Sequence, residues 1–354
     1  MSHPISPKVY VILVNWNGWR DTIECLESLF HINYPNYAVL VCDNGSTDGS
    51  LKQVADWARG GRTLDCTNHL LESLVVPPHP KPIHFATIEV PHHEALVGRR
   101  EKLFLIQTGA NLGFAGGNNV GLRLALGAGD LDYAWLLNND TVVDRDALTS
   151  MVKEMEEAPA AGMCGSVLLS YNDGRTVQAA GGYTYNRWTA RVGHIGCGLK
   201  LENLPPREKV ERELDYVAGA SMLVRRRFLE QVGPLNENYF LFFEEIDWVT
   251  RAKRSFSLIY SPGSIVYHKE GQSTGMGAAR DLMKGRLSRP YGPRSRILFT
   301  RTHYPIALIS VIPSLLAGAV FRLLWGKPKY FKVVTSGLIS GMAAPVDREA
   351  FKHW

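Results

Sequence analysis

The feature that most constrains this chain is an alternation in its first half. Short apolar runs, "KVYVILVNW" (8–16), "YAVLVCD" (37–43), "KLFLIQT" (102–108) and "YAWLLN" (133–138), alternate with segments whose apolar residues fall at helical spacing, as in "RDTIECLESLFHI" (20–32). Further helices are expected from near Leu51, over about 115–126 and over about 145–157. Runs that are apolar throughout bury both faces, and strand–helix–strand order joins parallel neighbours by crossover helices. The expectation is an α/β fold: a mainly parallel central sheet flanked by helices.

The rhythm breaks twice. Residues 60–100 carry several His residues and prolines at 77, 78, 80 and 82, and read as an insertion of poorly specified structure. Those His residues lack a metal-ligand spacing and are expected to be solvated. After residue 160, "GGYTYNRWTARVGHIG" (181–196) predicts short antiparallel strands and "YVAGASMLVRRRFLEQVG" (216–233) a strand turning into a helix, a mixed, substrate-shaping region. The chain is thus expected to divide into a half over about 8–160, a second half over about 161–280 and a separate region at 281–354.

That last region carries most of the charge asymmetry. Residues 280–354 hold 13 Lys/Arg against three acids in a chain of net charge +5, so everything before them is net negative. The basic residues bracket "YPIALISVIPSLLAGAVFRLLW" (304–325), whose length approaches the ~20 residues that cross a bilayer. Contact with an anionic membrane surface therefore outranks nucleic acid, which is not expected as a partner. Pro305 and Pro313 leave spanning, interfacial and re-entrant readings open, beside that of a buried core helix. Five cysteines, odd in number and without CxxC spacing, read as buried apolar residues of a reducing compartment. The amino-terminal segment lacks the pattern of a signal peptide.

Three strand ends turn polar together: "VNWNG", "VCDNGSTDG" and "LLNNDT". Ligands of open parallel sheets bind outside the carboxyl ends of the strands. Each end alone is ordinary turn chemistry, but three in register suggest a nucleotide site in which Asp43 accepts from a base or ribose. "NLGFAGGNN" (111–119) places glycines where a strand gives way to a helix, which serves either close approach of a ligand or close helix packing. In "NYFLFFEEIDWVTRAKR" (238–254), Glu244, Glu245 and Asp247 open a helix beside Phe242, Phe243 and Trp248. They serve the helix dipole, or one carboxyl has its pKa raised toward that of a general base. His268 follows a short strand and precedes a Gly/Ser/Thr-rich segment. With Asp140 it forms a candidate ligand pair for a hard divalent ion on a diphosphate.

Taken in order, "VILVNWNGWRDTIECLESL", "VCDNGSTDGS", "NLGFAGGNNVGL", "LLNNDTVV", "VAGASMLVRRRFLEQVGPLNENYFLFFEEIDW" and "VYHKEGQST" resemble the family 2 glycosyltransferases, in particular their rhamnosyltransferase-like branch. The resemblance covers roughly residues 8–300 apart from the insertion. It implies a GT-A fold, Rossmann-like in its sheet, with a nucleotide-diphosphate sugar donor, a divalent cation (Mg2+ or Mn2+) and inverting single displacement. It puts Asn15, Asn17 and Asp43 around the nucleotide, and Gly113 and Asn118 beside the diphosphate or sugar. Asn138, Asn139 and Asp140 match the family's DxD element, with Asp140 and His268 on the metal and Asn138 and Asn139 toward the nucleotide sugar. The general base, usually an Asp in the family, falls on Glu245, one methylene longer, with Glu244 and Asp247 orienting the acceptor. dTDP-rhamnose is the favoured donor, and a glycan or polyprenyl-linked molecule the acceptor. The expected place of work is the cytoplasmic face of the cell membrane, in cell-surface polysaccharide synthesis. Two other readings are a nucleotide-sugar or glycan binding protein without catalysis, motivated by Asn138 and Glu245, and a nucleotidyltransferase, whose basic Gly-rich loop "VNWNGW" lacks.

Overall fold

The structure, a computed structural model, describes residues 6–63, 68–89, 95–252, 255–269, 291–326 and 328–346. β1 (Val9–Asn15), α1 (Trp19–Leu29), β2 (Tyr37–Asp43) and α2 (Ser50–Ala58) open the chain. They are followed by α3 (Glu72–Val75), β3 (Phe85–Glu89), β4 (Leu103–Gln107), α4 (Gly113–Gly127), β5 (Tyr133–Asn138), β6 (Thr141–Val143) and α5 (Ala147–Glu157). The second half runs β7 (Ala161–Ser170), β8 (Val177–Ala180), β9 (Gly182–Asn186), β10 (Arg191–His194), α6 (Arg207–Glu213), β11 (Tyr216–Val217), β12 (Ser221–Arg225), α7 (Arg226–Val232), α8 (Glu244–Arg251) and β13 (Ser257–His268). The last described helices are α9 (Tyr291–His303), α10 (Leu308–Leu324) and α11 (Pro328–Ala343).

The main sheet has the order β3-β4-β2-β1-β5-β12-β7-β13-β6, with β8 added on β7. β1 to β5 are mutually parallel, while β12 runs antiparallel between β5 and β7. Alternation along each strand sorts its side chains to two faces. Val9, Val11 and Leu13 of β1 join one core with α1, α2 and α5, whereas Tyr10 and Ile12 join a second with α4, α7 and α8. The result is the expected three-layer α/β architecture with helices on both sides of the sheet.

A small sheet of order β10-β9-β11 stands apart, formed by the antiparallel strands expected around 181–196. β13 is longer than the short strand expected before His268, because its pairing with β7 shifts register between Tyr260 and Ile265, at Pro262 and Gly263.

The described residues of the insertion form more regular structure than its composition suggests. β3 pairs in parallel with β4 and forms the edge of the sheet. Glu27, 1% exposed, fastens the proline-rich stretch to the body. Its Oε1 accepts from Trp57 Nε1 at 2.7 Å and from Lys81 Nζ at 2.9 Å, and its Oε2 from His79 N at 2.9 Å. A buried carboxylate satisfied on both oxygens holds a segment that lacks a regular hydrophobic pattern. His92 and His93, the boundary expected at residue 280 and the Gly/Ser/Thr-rich segment after His268 lie outside the described residues. Cys25, Cys42 and Cys164 are buried free thiols, as expected; Cys197 is exposed, on the turn after β10, and Cys66 lies outside the described residues.

α9 packs onto α8 and the small sheet through Leu298 and Phe299, which share a core with Tyr216, Tyr239, Phe243 and Ile246. α11 approaches α9 closely at two glycines: a Cβ on Gly337 would lie 2.6 Å from Pro293 Cβ, and one on Gly341 2.7 Å from the Arg294 carbonyl. α10 lies over this pair with only Val311 and Ala319 buried. Together with the turn before it, α10 makes a segment Pro305–Leu324 of mean hydropathy 2.1, long and apolar enough by length and composition to cross a membrane. Ile309 is 74% exposed and Leu324 80%.

Candidate active site

The parallel strands end level with one another. Asn15 is opposite Asp43, Val14 is opposite Asn138, and Asp43 is opposite Gln107. Their polar ends thus share the carboxyl edge of the sheet. Asn15 is the hub: its Nδ2 donates to Asp43 Oδ1 at 2.6 Å and to Ser46 Oγ at 3.1 Å. Its Oδ1 accepts from Thr22 Oγ1 at 2.9 Å and from Asn139 Nδ2 at 3.4 Å. Asp43 also accepts from Ser46 N at 3.1 Å and Ser46 Oγ at 2.6 Å. Asn17 adopts φ 51°, a left-handed conformation Asn tolerates, and its Oδ1 accepts from Thr47 N at 2.8 Å. The loop 43–50 is thereby folded onto the end of β1, and Asp48 Oδ1 accepts the Ser50 N–H that opens α2.

Asn139 is buried and turned inward, donating to Thr22 Oγ1 at 2.9 Å. Asn138 and Asp140 face His268 at the end of β13: Asn138 Nδ2 lies 3.3 Å and Asp140 Oδ1 3.4 Å from His268 Nε2. Backbone pairing explains the approach, since β6 runs antiparallel to β13 with Thr141 opposite His268, and Lys269 N donates to the Asp140 carbonyl at 3.0 Å. The following Lys269 places its ammonium between Asp21 and Glu24 of α1. Among the described residues there is no group of three or more His, Cys, Asp or Glu positioned to hold a metal ion.

Glu245 lies across the same region through the β11–β12 turn. Its side chain fills the space where a Cβ on Gly219 would sit, with Oε1 2.3 Å from that position, and the adjoining Ala220 carbonyl accepts from Asn138 N at 3.0 Å. The residues before α8 are strained: Phe242 and Phe243 have φ 68° and 73°, a left-handed conformation costly for aromatic side chains. Packing of Phe243 with Tyr185 and Phe299 holds this turn, which aims the first residues of α8. Desolvation pushes the Glu245 carboxyl up to about 7, against backbone hydrogen bonds at Glu245 and Gly219 that favour its charged form. Glu244 is raised well above the usual carboxylate range by burial and then by the neighbouring Glu245. Among the described residues its Oε2 has no hydrogen-bond partner.

Three expected site residues make contacts within the protein body. Asp247 is 1% exposed and accepts from Arg251 Nε at 2.9 Å and His303 Nε2 at 2.7 Å. It joins α8 to α9, since lying two residues past Glu245, about 200° around the helix, carries it to the far side of α8. Gly113, with φ 71°, admits the Phe240 carbonyl, which a Cβ would approach to 2.2 Å. Asn118 donates back to Phe114 O in its own helix at 2.9 Å. Other residues of the site were not singled out from sequence. Thr22, Ser46 and Asn44 lie within the quoted motifs; Asn44 joins β2 to α4 through Gly113 O at 2.9 Å and Leu112 N at 3.0 Å. Gln178 had no sequence signal. A cavity of about 580 Å³ between α8 and the small sheet, lined by Tyr185, Asp215, Thr250 and Tyr304, does not include the strand ends. Size alone is a poor guide to a site open on one side.

Comparison with known proteins agrees with this architecture. Residues 10–68 and 91–233 match Glycosyl transferase family 2, and the gap between the two stretches falls on the insertion. An N-acetylglucosaminyl-diphospho-decaprenol L-rhamnosyltransferase of Mycobacterium tuberculosis is 28% identical over 213 residues, 53% of this chain and 66% of that protein. A low-salt glycan biosynthesis hexosyltransferase of Haloferax volcanii is 26% identical over 156 residues, 44% of this chain and 47% of that protein. The matched stretches thus span between about half and two thirds of these relatives' own length. Among solved structures, a mannosyltransferase from Pyrobaculum calidifontis in complex with GDP-Man and Mn2+ aligns with a TM-score of 0.50 at 16% identity, over 96% of this chain and 87% of that one. That likeness is one of fold, the GT-A fold. The chain therefore belongs to glycosyl transferase family 2 and, within it, resembles the rhamnosyltransferase branch.

Proposed function

We propose that this protein is an inverting glycosyltransferase that moves a hexosyl group from a nucleotide-diphosphate sugar, dTDP-rhamnose first among the candidates, to a glycan or polyprenyl-linked acceptor. The observation that carries the reading is convergence: the Asn15–Asp43 pair, the Asp140–His268 pair and Glu245 gather at one carboxyl edge of the sheet. Asn15, Asn17 and Asp43 bind the nucleotide, helped by Ser46 and by Asn139 behind them, and Asn138 faces the nucleotide sugar.

The donor set at Asp140 and His268 fits a divalent cation, Mg2+ or Mn2+. A carboxylate oxygen and an imidazole nitrogen lie 3.4 Å apart beside the Asn138 amide, and Asp140 and His268 would hold the ion with diphosphate oxygens of the donor as its further ligands. When bound, the cation offsets the charge that builds on the departing diphosphate. The relative bound to this fold with GDP-Man and Mn2+ supports the assignment by analogy.

Glu245 is the general base. The acceptor oxygen forms its bond to the anomeric carbon as the bond from that carbon to the diphosphate oxygen breaks, the hydroxyl proton passes to Glu245, and configuration inverts. A carboxyl held at about 7 is poised for that transfer near neutral pH. Burial and then the neighbouring Glu245 raise the Glu244 carboxyl well above the usual carboxylate range, which favours its neutral form beside Glu245. Residues 1–280 form the catalytic unit, to which α9 adds by its packing. Within 281–354, α10 and α11 form the part that lies on an anionic membrane: exposed Leu324, Trp325 and Ile339 adjoin Arg322, Lys329 and Lys332. The enzyme then works at the cytoplasmic face of the cell membrane, where a polyprenyl-linked acceptor is within reach.

Glu245→Gln tests the assignment. Transfer, followed by release of nucleoside diphosphate, is expected to fall about 10²- to 10⁴-fold, while donor affinity measured by calorimetry stays close to wild type. Thermal-shift screening of dTDP-rhamnose against UDP and GDP sugars, with and without Mn2+, identifies the donor. Wild-type turnover by E245Q would remove Glu245 from the reaction. A wild-type protein that binds donor and transfers nothing would leave a binding protein.

A further inference from the structure

We propose that Gln178 is a positioning residue that holds His268 in one ring orientation and one tautomer, with Nε2 turned to Asp140 and Asn138. The inference rests on the reading of His268 as a ligand and names the residue that prepares it.

Gln178 lies on β8, the strand added to β7 outside the main path of the sheet, and makes two contacts with the same residue. Its Nε2 donates to the His268 carbonyl at 3.0 Å, and its Oε1 lies 3.0 Å from His268 Nδ1. The first contact fixes the amide, because only the NH2 end can face a carbonyl oxygen. Oε1 must then face the ring, and a carboxamide oxygen only accepts. Nδ1 therefore carries the proton, and in the neutral ring Nε2 keeps its lone pair. Asn138 Nδ2, 3.3 Å from Nε2, is a donor and matches that state.

A second force opposes it. Asp140 Oδ1, 3.4 Å from Nε2, attracts a proton to that nitrogen, and an Nε2–H has no lone pair to offer an ion. The two tautomers are thus held apart by a competition between Asp140 on one side of the ring and Gln178 on the other. Because Gln178 grips both the ring and the main chain of His268, it also fixes the ring plane. Such partners of a ligating histidine set its tautomer and its strength as a ligand.

Selective ¹⁵N labelling of histidine, with His268→Gln to assign the signal, reads the tautomer of the neutral ring directly. The wild-type protein is expected in the Nδ1–H form. Gln178→Leu is expected to move the ring toward the Nε2–H form and to weaken binding of Mn2+ alone, titrated by calorimetry, by about 10- to 100-fold. Gln178→Glu, whose carboxylate still accepts from Nδ1–H, is expected to keep the wild-type tautomer and controls for loss of folding. A wild-type ring in the Nε2–H form, or an unchanged ring in Q178L, overturns the inference. If the tautomer shifts as expected but Mn2+ binds neither wild type nor variant, Gln178 keeps its role and the metal assignment of Asp140 and His268 fails instead.

Discussion

Burial gives Glu245 two opposed effects with a common cause. In its proposed role as proton acceptor it works only when ionised, so kcat/KM is expected to rise with pH through about 7 and then level off, measured with the donor saturating. For stability the sign is reversed. The folded-state pKa lies above the ordinary carboxylate value, so between about 4.5 and 7 the folded protein binds more protons than the unfolded one, and stability falls as pH rises across that window. E245Q lacks this penalty, so its melting temperature relative to wild type should gain steadily over that window. A constant difference across the same range would mean that the carboxyl is not desolvated. Gly219 belongs to this account, since a side chain there would displace the Glu245 carboxylate.

At the scale of elements, α8 serves two neighbours from two faces. Glu245 looks toward the β11–β12 turn, while Asp247 is bound to Arg251 and His303 on the side of α9. Asp247→Ala is expected to cost about 3 kcal/mol in urea denaturation, as removal of one member of a buried ion pair does, and to leave acceptor KM unchanged in whatever protein stays folded. A raised KM at unchanged stability would instead restore the acceptor role expected from its position in the sequence. The Asp247–His303 contact was not legible in the sequence, because His303, 56 residues away, is invisible to local pattern. What was legible was the β1, β2 and β5 ends: strand-length apolar runs stop there at Asn15, Asp43 and Asn138, and parallel pairing forces level ends. β3 was not legible, since Phe85–Glu89 is short, half-exposed and preceded by prolines, and its pairing on β4 decides its conformation. Gln178 sits in "TVQAAGG", an unremarked strand sequence whose meaning depends on a partner 90 residues on.

At the scale of the molecule, the charge asymmetry of the chain acquires a geometry. The net-negative body carries the candidate site, and Arg322, Lys329 and Lys332 lie on α10 and α11, which also expose Leu324 and Ile339. Flotation with phosphatidylglycerol vesicles should recover the protein, neutral phosphatidylcholine vesicles should recover less, and high salt should narrow the gap, since each surface Lys or Arg contributes roughly 1 kcal/mol against an anionic bilayer. Leu324→Glu together with Trp325→Glu should abolish recovery; unchanged partitioning of that variant would take α10 off the membrane. Packing of α11 on α9, and of α9 on α8, makes any such docking mechanically continuous with Glu245.

The pairing of β6 with β13 has one more consequence, for the order in which the protein comes off the ribosome. Asn138 and His268 are 130 residues apart, and β6 takes its place in the sheet only through β13. The β1, β2, β4 and β5 strands can pair while the chain is still being made, but the His268 side of the site has to wait for β13 to emerge and insert between β7 and β6. Assembly of the Asp140–His268 pair is thus a late event in biogenesis, and a chain interrupted before residue 268 carries Asn15, Asp43 and Asp140 without it.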